Sequence, residues 1–181
     1  MKIVYSHLLN LLEQQPKLEE LSELLFQLGH EHEIDGEVLD MEITPNRGDC
    51  LSLKGLARDL NYFYQAKELP KNDMALPVLD LQFDNQAQEL CPNISFMEIE
   101  IEKVPAKYEP YLEAYFTDLG INKNNFFTDI SNYLAYESGQ PTHCFDQSTM
   151  QGHFSLAKKK LKTKFKTLLD TDIELTDENL V

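Results

Sequence analysis

The stretch LEELSELLFQLGHEHEIDGEVLDMEI, residues 18–43, predicts a helix followed by a β-hairpin. Leucines recur in its first half at the three- and four-residue steps of an amphipathic helix, namely Leu18, Leu21, Leu24, Leu25 and Leu28. Gly29 stands where a left-handed residue commonly ends a helix. Asp35-Gly36 then separates two strand-like runs, which is a strong signal for a tight hairpin turn.

A second amphipathic helix is predicted in LSLKGLARDLNYFYQAKEL, residues 51–69, with Leu53, Leu56, Leu60 and Phe63 on one side. Residues 1–66 are therefore expected to form a small helix–hairpin–helix module. Residues 67–80 carry two prolines among polar residues and are interpreted as a linker.

Residues 81–181 are expected to form a second, α/β domain. In SFMEIEIEKV, residues 95–104, Met97, Ile99 and Ile101 alternate with glutamates, which predicts a strand with one buried face. Two short helices are predicted to end at Gly120 and Gly139, and the lysine-rich tail from residue 154, which includes Leu161 and Phe165, predicts further strands. The predicted fold class is α+β, with a mostly antiparallel or mixed sheet.

The composition argues against a general nucleic-acid-binding protein. The chain has 31 acidic and 16 basic residues and a formal net charge of −15, which repels phosphate at long range. Only Arg47 and Arg58 are arginines, the residues best suited to clamp phosphate with two hydrogen bonds. Three widely spaced cysteines indicate a reducing compartment, and no apolar run reaches the ~18 residues of a membrane span. We therefore expect a cytoplasmic protein.

The stretch GQPTHCFD, residues 139–146, is the most distinctive candidate site. Its His143 has four interpretations: a metal ligand, the partner of a nucleophilic Cys144, a structural residue bonded to a nearby carbonyl, or a pocket residue in a loop shaped by Gly139 and Pro141. No metal-ligand spacing such as CxxC or HExxH links it to the other histidines and cysteines. Adjacent side chains point apart on most backbones, so His143 is poorly placed to activate Cys144. The residues alone favour the structural interpretation and leave the pocket one open.

Two other polar stretches have plain structural interpretations. Arg47 and Asp49 are expected to pair across the TPNRGDC turn, with Asp49 capping the next helix. The lysines between residues 158 and 166 are expected to line a solvated strand edge.

Three motifs, in order, connect the chain with a known family. EITPNRGDCLSLKGLARDL (residues 42–60), DISNYLAYESGQPTHCFD (129–146) and LLDTDIELTDENLV (168–181) resemble stretches near the start of the bacterial phenylalanyl-tRNA synthetase beta subunit. Three ordered motifs over nearly the whole chain are far more specific than one short motif.

The resemblance implies a role within a larger enzyme. In that family the beta subunit partners an alpha subunit, which holds the class II aminoacylation site with its ATP and Mg²⁺, so no cofactor is expected in this chain. An editing domain of the beta subunit hydrolyses tyrosine wrongly attached to the phenylalanine tRNA. Carried over by motif, His143 and Asn132 would be polar catalytic groups of the editing pocket, and Ser131, Gln140 and Pro141 would contact the substrate.

The chain also departs from the family pattern. The turn at residues 35–36 stands where an oligonucleotide-binding-fold domain is usually inserted, and the sequence ends at residue 181, where the family's editing domain continues. Cys144 replaces the family's alanine. The alternative to an editing role is therefore a non-catalytic remnant that binds a partner, and an incomplete sheet with an open edge favours self-association.

Overall fold

A computed structural model of the chain describes residues 1–68, 75, 78–150, 153–158, 163–167, 171–176 and 179–181. Its helices are α1 (Tyr5–Leu9), α2 (Leu18–Gln27), α3 (Leu53–Tyr64), α4 (Pro110–Leu119) and α5 (Phe126–Ser138). Its strands are β1 (Lys2–Val4), β2 (Glu31–Asp35), β3 (Val38–Glu42), β4 (Gln82–Asn85), β5 (His153–Leu156), β6 (Thr163–Lys166) and β7 (Asp172–Leu175). This mixture of helices and small sheets confirms the predicted α+β class.

Contacts divide the chain into two units. Unit 1 comprises Met1–Asn72 and Lys103–Cys144, and unit 2 comprises Asp73–Glu102 and Phe145–Val181. This division differs from the predicted boundaries at residues 66 and 81, because α4 and α5 contribute Leu112, Tyr115, Phe116 and Tyr136 to the same apolar core as the N-terminal leucines. Most of the predicted linker, residues 67–80, lies outside the described residues.

Unit 1 begins with the helix and hairpin that the opening sequence predicts. Helix α2 ends beside Gly29, which has a left-handed φ of 86°. Strands β2 and β3 pair in an antiparallel hairpin around Gly36, and β1 adds a third strand on the far side of β3. The predicted hairpin is thus confirmed, but its two turn residues are Gly36 and Glu37 and not Asp35 and Gly36, because Asp35 pairs with Val38 at the end of β2. Strand β1 is an addition that the leucine pattern does not reveal.

The N-terminal cap and the apolar face of helix α3 agree only in part with the prediction. The hydroxyl of Ser52 accepts a hydrogen bond from the Gly55 N–H at 3.0 Å and caps the helix, so the prediction that Asp49 is the cap is wrong. Leu53, Leu56 and Leu60 are buried as predicted, whereas Phe63 is 42% exposed. Gly55 permits close packing, because a Cβ there would lie 2.0 Å from the carbonyl oxygen of Asp49.

Unit 2 contains two separate two-stranded sheets. Strands β4 and β5 are parallel, and β6 and β7 are antiparallel, so both strand directions occur. The strands predicted in the C-terminal tail are confirmed as β5, β6 and β7, while Leu161 lies outside the described residues. The strand predicted in residues 95–104 is wrong: no strand forms there, and Met97, Ile99 and Ile101 are all exposed.

Candidate functional site

The predicted site lies on α5 and on the loop that follows it, both in unit 1. Both ends of α5 are set by local signals. The Asn125 side chain accepts a hydrogen bond from the Thr128 N–H at 3.1 Å, and Gly139 closes the helix with a φ of 75°. The candidate residues Ser131 and Asn132 stand in the middle of this helix.

A buried carboxylate fixes the first turn of α5. Asp129 is fully buried and accepts hydrogen bonds from the Tyr108 hydroxyl at 2.7 Å and from the Asn124 N–H at 2.9 Å. The bond to Asp129 raises the pKa of Tyr108 to about 12, so this phenol remains a donor at neutral pH. The carboxylate thus ties α5 to the segment before α4.

The other end of α5 is held by Tyr136. Its buried hydroxyl accepts a hydrogen bond from the Val4 N–H at 3.2 Å and lies 3.0 Å from Nδ1 of His7. Lys54 on α3 forms an ion pair with Glu137 at 3.0 Å. These contacts make α5 a rigid support, as a site on a folded scaffold requires.

The loop after α5 folds back along the helix. Sγ of Cys144 lies 3.8 Å from the Ser131 hydroxyl and 4.0 Å from the carbonyl oxygen of Phe127, near the start of α5. Ser131 precedes the last residue of α5 by seven residues, a rise of ~10 Å, so the loop from Gly139 to Cys144 runs back along about two turns of the helix. These two weak sulfur contacts join the loop to α5.

Of the two predicted site residues on α5, only Ser131 contacts the loop that follows the helix. Ser131 meets Cys144, whereas Asn132, Gln140, Pro141 and His143 are exposed. Among the residues that the structure describes, the side chains of Asn132 and His143 have no hydrogen-bond partner. The described part of the chain thus presents these groups on an open surface rather than in an enclosed pocket.

A groove on the neighbouring face of α5 is a feature that the sequence interpretation misses. It has a volume of about 330 Å³ and is lined by Tyr111, Ile130, Tyr133, Leu134 and Glu137. The Tyr111 and Tyr133 ring centroids are 5.3 Å apart, and burial raises the pKa of Tyr133 to about 12. The tyrosines that recur at three- and four-residue steps on α4 and α5 are the sequence signal that could have predicted this groove.

A second polar cluster occupies the TPNRGDC segment. Arg47 binds Asp49 through Nε at 3.1 Å and Asp59 through Nη2 at 2.5 Å, which confirms the predicted pairing of Arg47 with Asp49. Arg58 also contacts Asp49, so both arginines of the chain lie in this cluster. These ion pairs therefore join the 3₁₀ turn of the motif, Pro45–Cys50, to α3.

The same cluster contains the only metal-compatible group among the described residues. Ligand atoms of His30, Cys50 and Asp59 lie within 4.8 Å of one another. The guanidinium of Arg47, however, lies 2.8 Å from Sγ of Cys50 and binds Asp59, so a cation already satisfies these groups. Burial, followed by the nearby Asp59 carboxylate, raises the pKa of Cys50 to about 11, which keeps the thiol protonated. A metal would have to displace the arginine.

The other metal candidates are dispersed. His30 bonds to Asp59 at 3.0 Å, whereas His32 lies 2.9 Å from the Ser22 hydroxyl, so the two histidines do not share a site. Within the described ranges, no cluster of three potential ligands includes His143. Among the described residues, no helix is both long and apolar enough to cross a bilayer.

Comparisons with known proteins define the class of domain. Residues 97–181 match the family model of the B3/4 domain. This match includes all of α4 and α5 and the loop that holds the candidate residues, together with β5, β6 and β7.

Whole-chain comparisons define the family more closely. The chain is 34% identical over 149 residues to the phenylalanine–tRNA ligase beta subunit of Aquifex aeolicus, and the match covers 80% of this chain and 19% of that protein. It is 34% identical over 157 residues to the same subunit of Carboxydothermus hydrogenoformans and 29% identical to that of Psychrobacter arcticus, with 82% of this chain covered in each match.

The chain therefore belongs to the phenylalanine–tRNA ligase beta-subunit family and corresponds to a fragment of that subunit's sequence. It spans about a fifth (19%) of the length of the curated relatives it matches. The resemblance carried by the three motifs is confirmed.

Proposed function

We propose that this chain contributes to tRNA handling and to hydrolytic editing of tyrosine-charged phenylalanine tRNA, as part of phenylalanine–tRNA ligase. The observation that supports the proposal most is the match of residues 97–181 to the B3/4 domain, because this range contains every candidate site residue. The relatives are ligase beta subunits, which supports a role in protein biosynthesis.

The exposed side chains on α5 and on the loop after it are accessible to a ligand that is too large to enter a cavity of this chain. Asn132 offers an amide with two donors and an acceptor, and His143 offers a ring nitrogen able to accept a proton. In the proposed roles, His143 and Asn132 orient the water and the ester, while Ser131, Gln140 and Pro141 shape the surface against the aminoacyl end. Gly139 and the Cys144 contact hold the loop in this position.

The proposed reaction is hydrolysis of an aminoacyl ester. The oxygen of a water molecule attacks the ester carbonyl, the bond from the carbonyl carbon to the ribose oxygen breaks, and tyrosine and the free tRNA end are released. One water proton goes to the departing ribose oxygen, and His143 relays it as general base and then acid. Discrimination of tyrosine from phenylalanine would require buried polar partners for the tyrosine hydroxyl, because a site built to bind a hydroxyl rejects the analogue that lacks it.

Charge indicates that a partner is needed for RNA binding. A formal charge of −15 opposes association with a polyanion, so we propose that the alpha subunit supplies most of the phosphate contacts and the site for ATP and Mg²⁺. The chain itself is proposed to bind no cofactor and to act in the cytoplasm.

A non-catalytic, partner-binding role is the second candidate. It is favoured by one observation: the candidate residues on the described surface are exposed and are not enclosed by neighbouring elements. In this case the chain would retain the family's scaffold without the pocket that editing needs.

The deciding assay is release of tyrosine from tyrosine-charged phenylalanine tRNA, with the chain alone and with an added alpha subunit. Editing predicts release that His143→Ala lowers by ~100-fold or more, as loss of a general base does. His153→Ala, which removes another exposed histidine, is the matched control and should have no effect. Absence of release in both conditions would reject the editing role and leave the partner-binding one.

A further inference from the structure

Strand β2 lies at an edge of the three-stranded sheet of unit 1, whose strand order is β1-β3-β2. The pair Asp35–Val38 closes the hairpin turn, and from such a closing pair hydrogen-bonded and non-bonded pairs alternate along the two strands. The N–H and C=O groups of His32 and Ile34 therefore point away from β3. Residues 28–44, which surround this edge in the sequence, are all described, and no described residue hydrogen-bonds to any of these four backbone groups.

The outer face of the hairpin is acidic. Glu31 lies opposite Glu42 and Glu33 lies opposite Asp40, and all four side chains are exposed. Like charges that face each other directly destabilise a sheet. Among the described ion pairs, only Asp40 of these four has a partner, the amino group of Met1 at 3.5 Å. The glutamates on β2 itself therefore stand at the edge without a cation beside them.

The inner face of the same edge carries exposed apolar side chains. His32 and Ile34 lie on this face, because side chains alternate along a strand. Ile34 is 47% exposed. Phe26 of α2 is 50% exposed and stacks on His32 with their ring centroids 4.4 Å apart. A strand added beside β2 would thus meet apolar groups on one face and carboxylates on the other.

A recess adjoins one end of the acidic face. It has a volume of about 240 Å³ and is lined by Gly29, Glu31, Glu42, Ile43 and Thr44. Its two carboxylates belong to cross-strand neighbours. An ammonium or guanidinium group placed there would form charge-assisted hydrogen bonds with both of them.

We propose that β2 binds an extended segment of a partner protein as a fourth, antiparallel strand, in which lysine or arginine alternates with apolar residues. The basic side chains of this segment lie beside Glu31, Glu33 and Asp35, and its apolar side chains lie beside His32 and Ile34. Backbone hydrogen bonds to a sheet edge supply affinity, and the alternate side chains supply specificity. A one-residue slip would place apolar side chains against the carboxylates, so the alternation also specifies the register.

The charges identify the occupant as a basic polypeptide. Two copies of this chain joined through β2 would set carboxylates against carboxylates, and a nucleic acid would bring phosphates to the same face. The formal net charge of −15 attracts a basic segment at long range. The inference does not depend on the editing reaction, since no candidate editing residue lies in β2 or β3.

The test uses the peptide acetyl-KVKVKVK-amide and the 181-residue chain at ~0.15 M salt. Isothermal titration calorimetry measures the Kd of the peptide, and NMR follows hydrogen exchange at the amides of His32 and Ile34. Both amides should exchange at least ~10-fold more slowly in the complex, because each becomes a strand hydrogen bond. Glu33→Lys should raise the Kd at least ~5-fold, since it replaces an attraction with a repulsion.

Two further peptides and one variant separate strand addition from general charge attraction. The peptide KKKVVVK keeps the composition without the alternation, and KVKVKVK with N-methylated valines keeps the charge without the N–H groups that face β2. Each should bind at least ~10-fold more weakly than KVKVKVK. Glu23→Lys makes the same charge change at an exposed position of α2 and should change the Kd less than ~2-fold.

Far-UV circular dichroism checks that both variants keep the wild-type fold. Equal binding of the three peptides would show charge attraction alone and would overturn the proposal. Unchanged exchange at His32 and Ile34, a Kd for Glu33→Lys equal to that of the wild type, or no binding at ~1 mM peptide would each do the same.

Discussion

Gly139→Ala tests the turn that directs the candidate loop, and its cost can be worked out from two local quantities. At a φ of 75° an alanine is in the left-handed region, which costs roughly 1–2 kcal/mol. A Cβ at this position would also lie 3.3 Å from Cβ and 3.4 Å from Oγ of Ser52, closer than ordinary contacts. Overpacking of this kind adds ~1 kcal/mol. We expect the free energy of unfolding to fall by about 2 kcal/mol.

Gly120→Ala provides the matched control for this substitution. Gly120 also ends a helix, with a φ of 64°, but nothing lies within 4 Å of a Cβ built there. Its cost should therefore be the conformational part alone, about 1 kcal/mol after the loss of unfolded-state freedom is included. With a urea slope of ~2 kcal/mol/M, the midpoint should fall by ~1 M for Gly139→Ala and by about half as much for Gly120→Ala. Equal shifts would refute the Ser52 contact, and no shift at Gly139 would refute the left-handed turn.

Three further perturbations test the packing around the site. Tyr136→Phe should lower the free energy of unfolding by ~1–3 kcal/mol in urea titrations, because the buried Val4 N–H loses its acceptor. Burial lowers the pKa of His7 below its ordinary value of 6.5, so stability should decline as the pH falls below that value, and His7→Asn should flatten the decline. Iodoacetamide at ~pH 8 should alkylate the exposed Cys144 well before the buried Cys50, because burial raises the pKa of Cys50 to about 11. Mass spectrometry of timed samples measures the two rates. Equal rates would contradict the burial of Cys50.

Local signals predicted the helices and the hairpin well. A glycine at a helix end and a glycine in a two-residue turn act through their own φ angles, which do not depend on distant contacts. Gly29, Gly36, Gly120 and Gly139 all adopt the left-handed conformation that these positions require. The element ends nearest to them could therefore be predicted from the sequence.

Signals that depend on a distant partner were less informative. The alternation in residues 97–102 predicted a strand with one buried face, but no strand forms there and Ile99 is exposed, because alternation alone does not specify a neighbouring strand. Asp49 had a suitable side chain and position for a helix cap. It instead binds Arg47 and Arg58, and Ser52 takes the capping role.

The candidate site was predictable only through the family motifs. The spacing of polar residues around residue 143 left four interpretations open, and the roles of Asn132 and His143 remain predictions. The structure adds the scaffold of the site: a capped helix with a buried carboxylate, and a loop in which Cys144 contacts Ser131. The tyrosine groove beside it was missed because its lining comes from two helices whose packing the sequence does not specify.

The discontinuous make-up of unit 1 has a consequence for how the chain is synthesised. Its N-terminal elements share a core with Leu112, Tyr115 and Tyr136, which follow the residues of unit 2 that interrupt unit 1 in the chain. During translation the first three helices therefore emerge with an unfinished apolar surface, and they keep it until α5 has left the ribosome. A fragment that stops after α3 should therefore expose the apolar residues that Leu112, Tyr115 and Tyr136 cover in the complete unit 1.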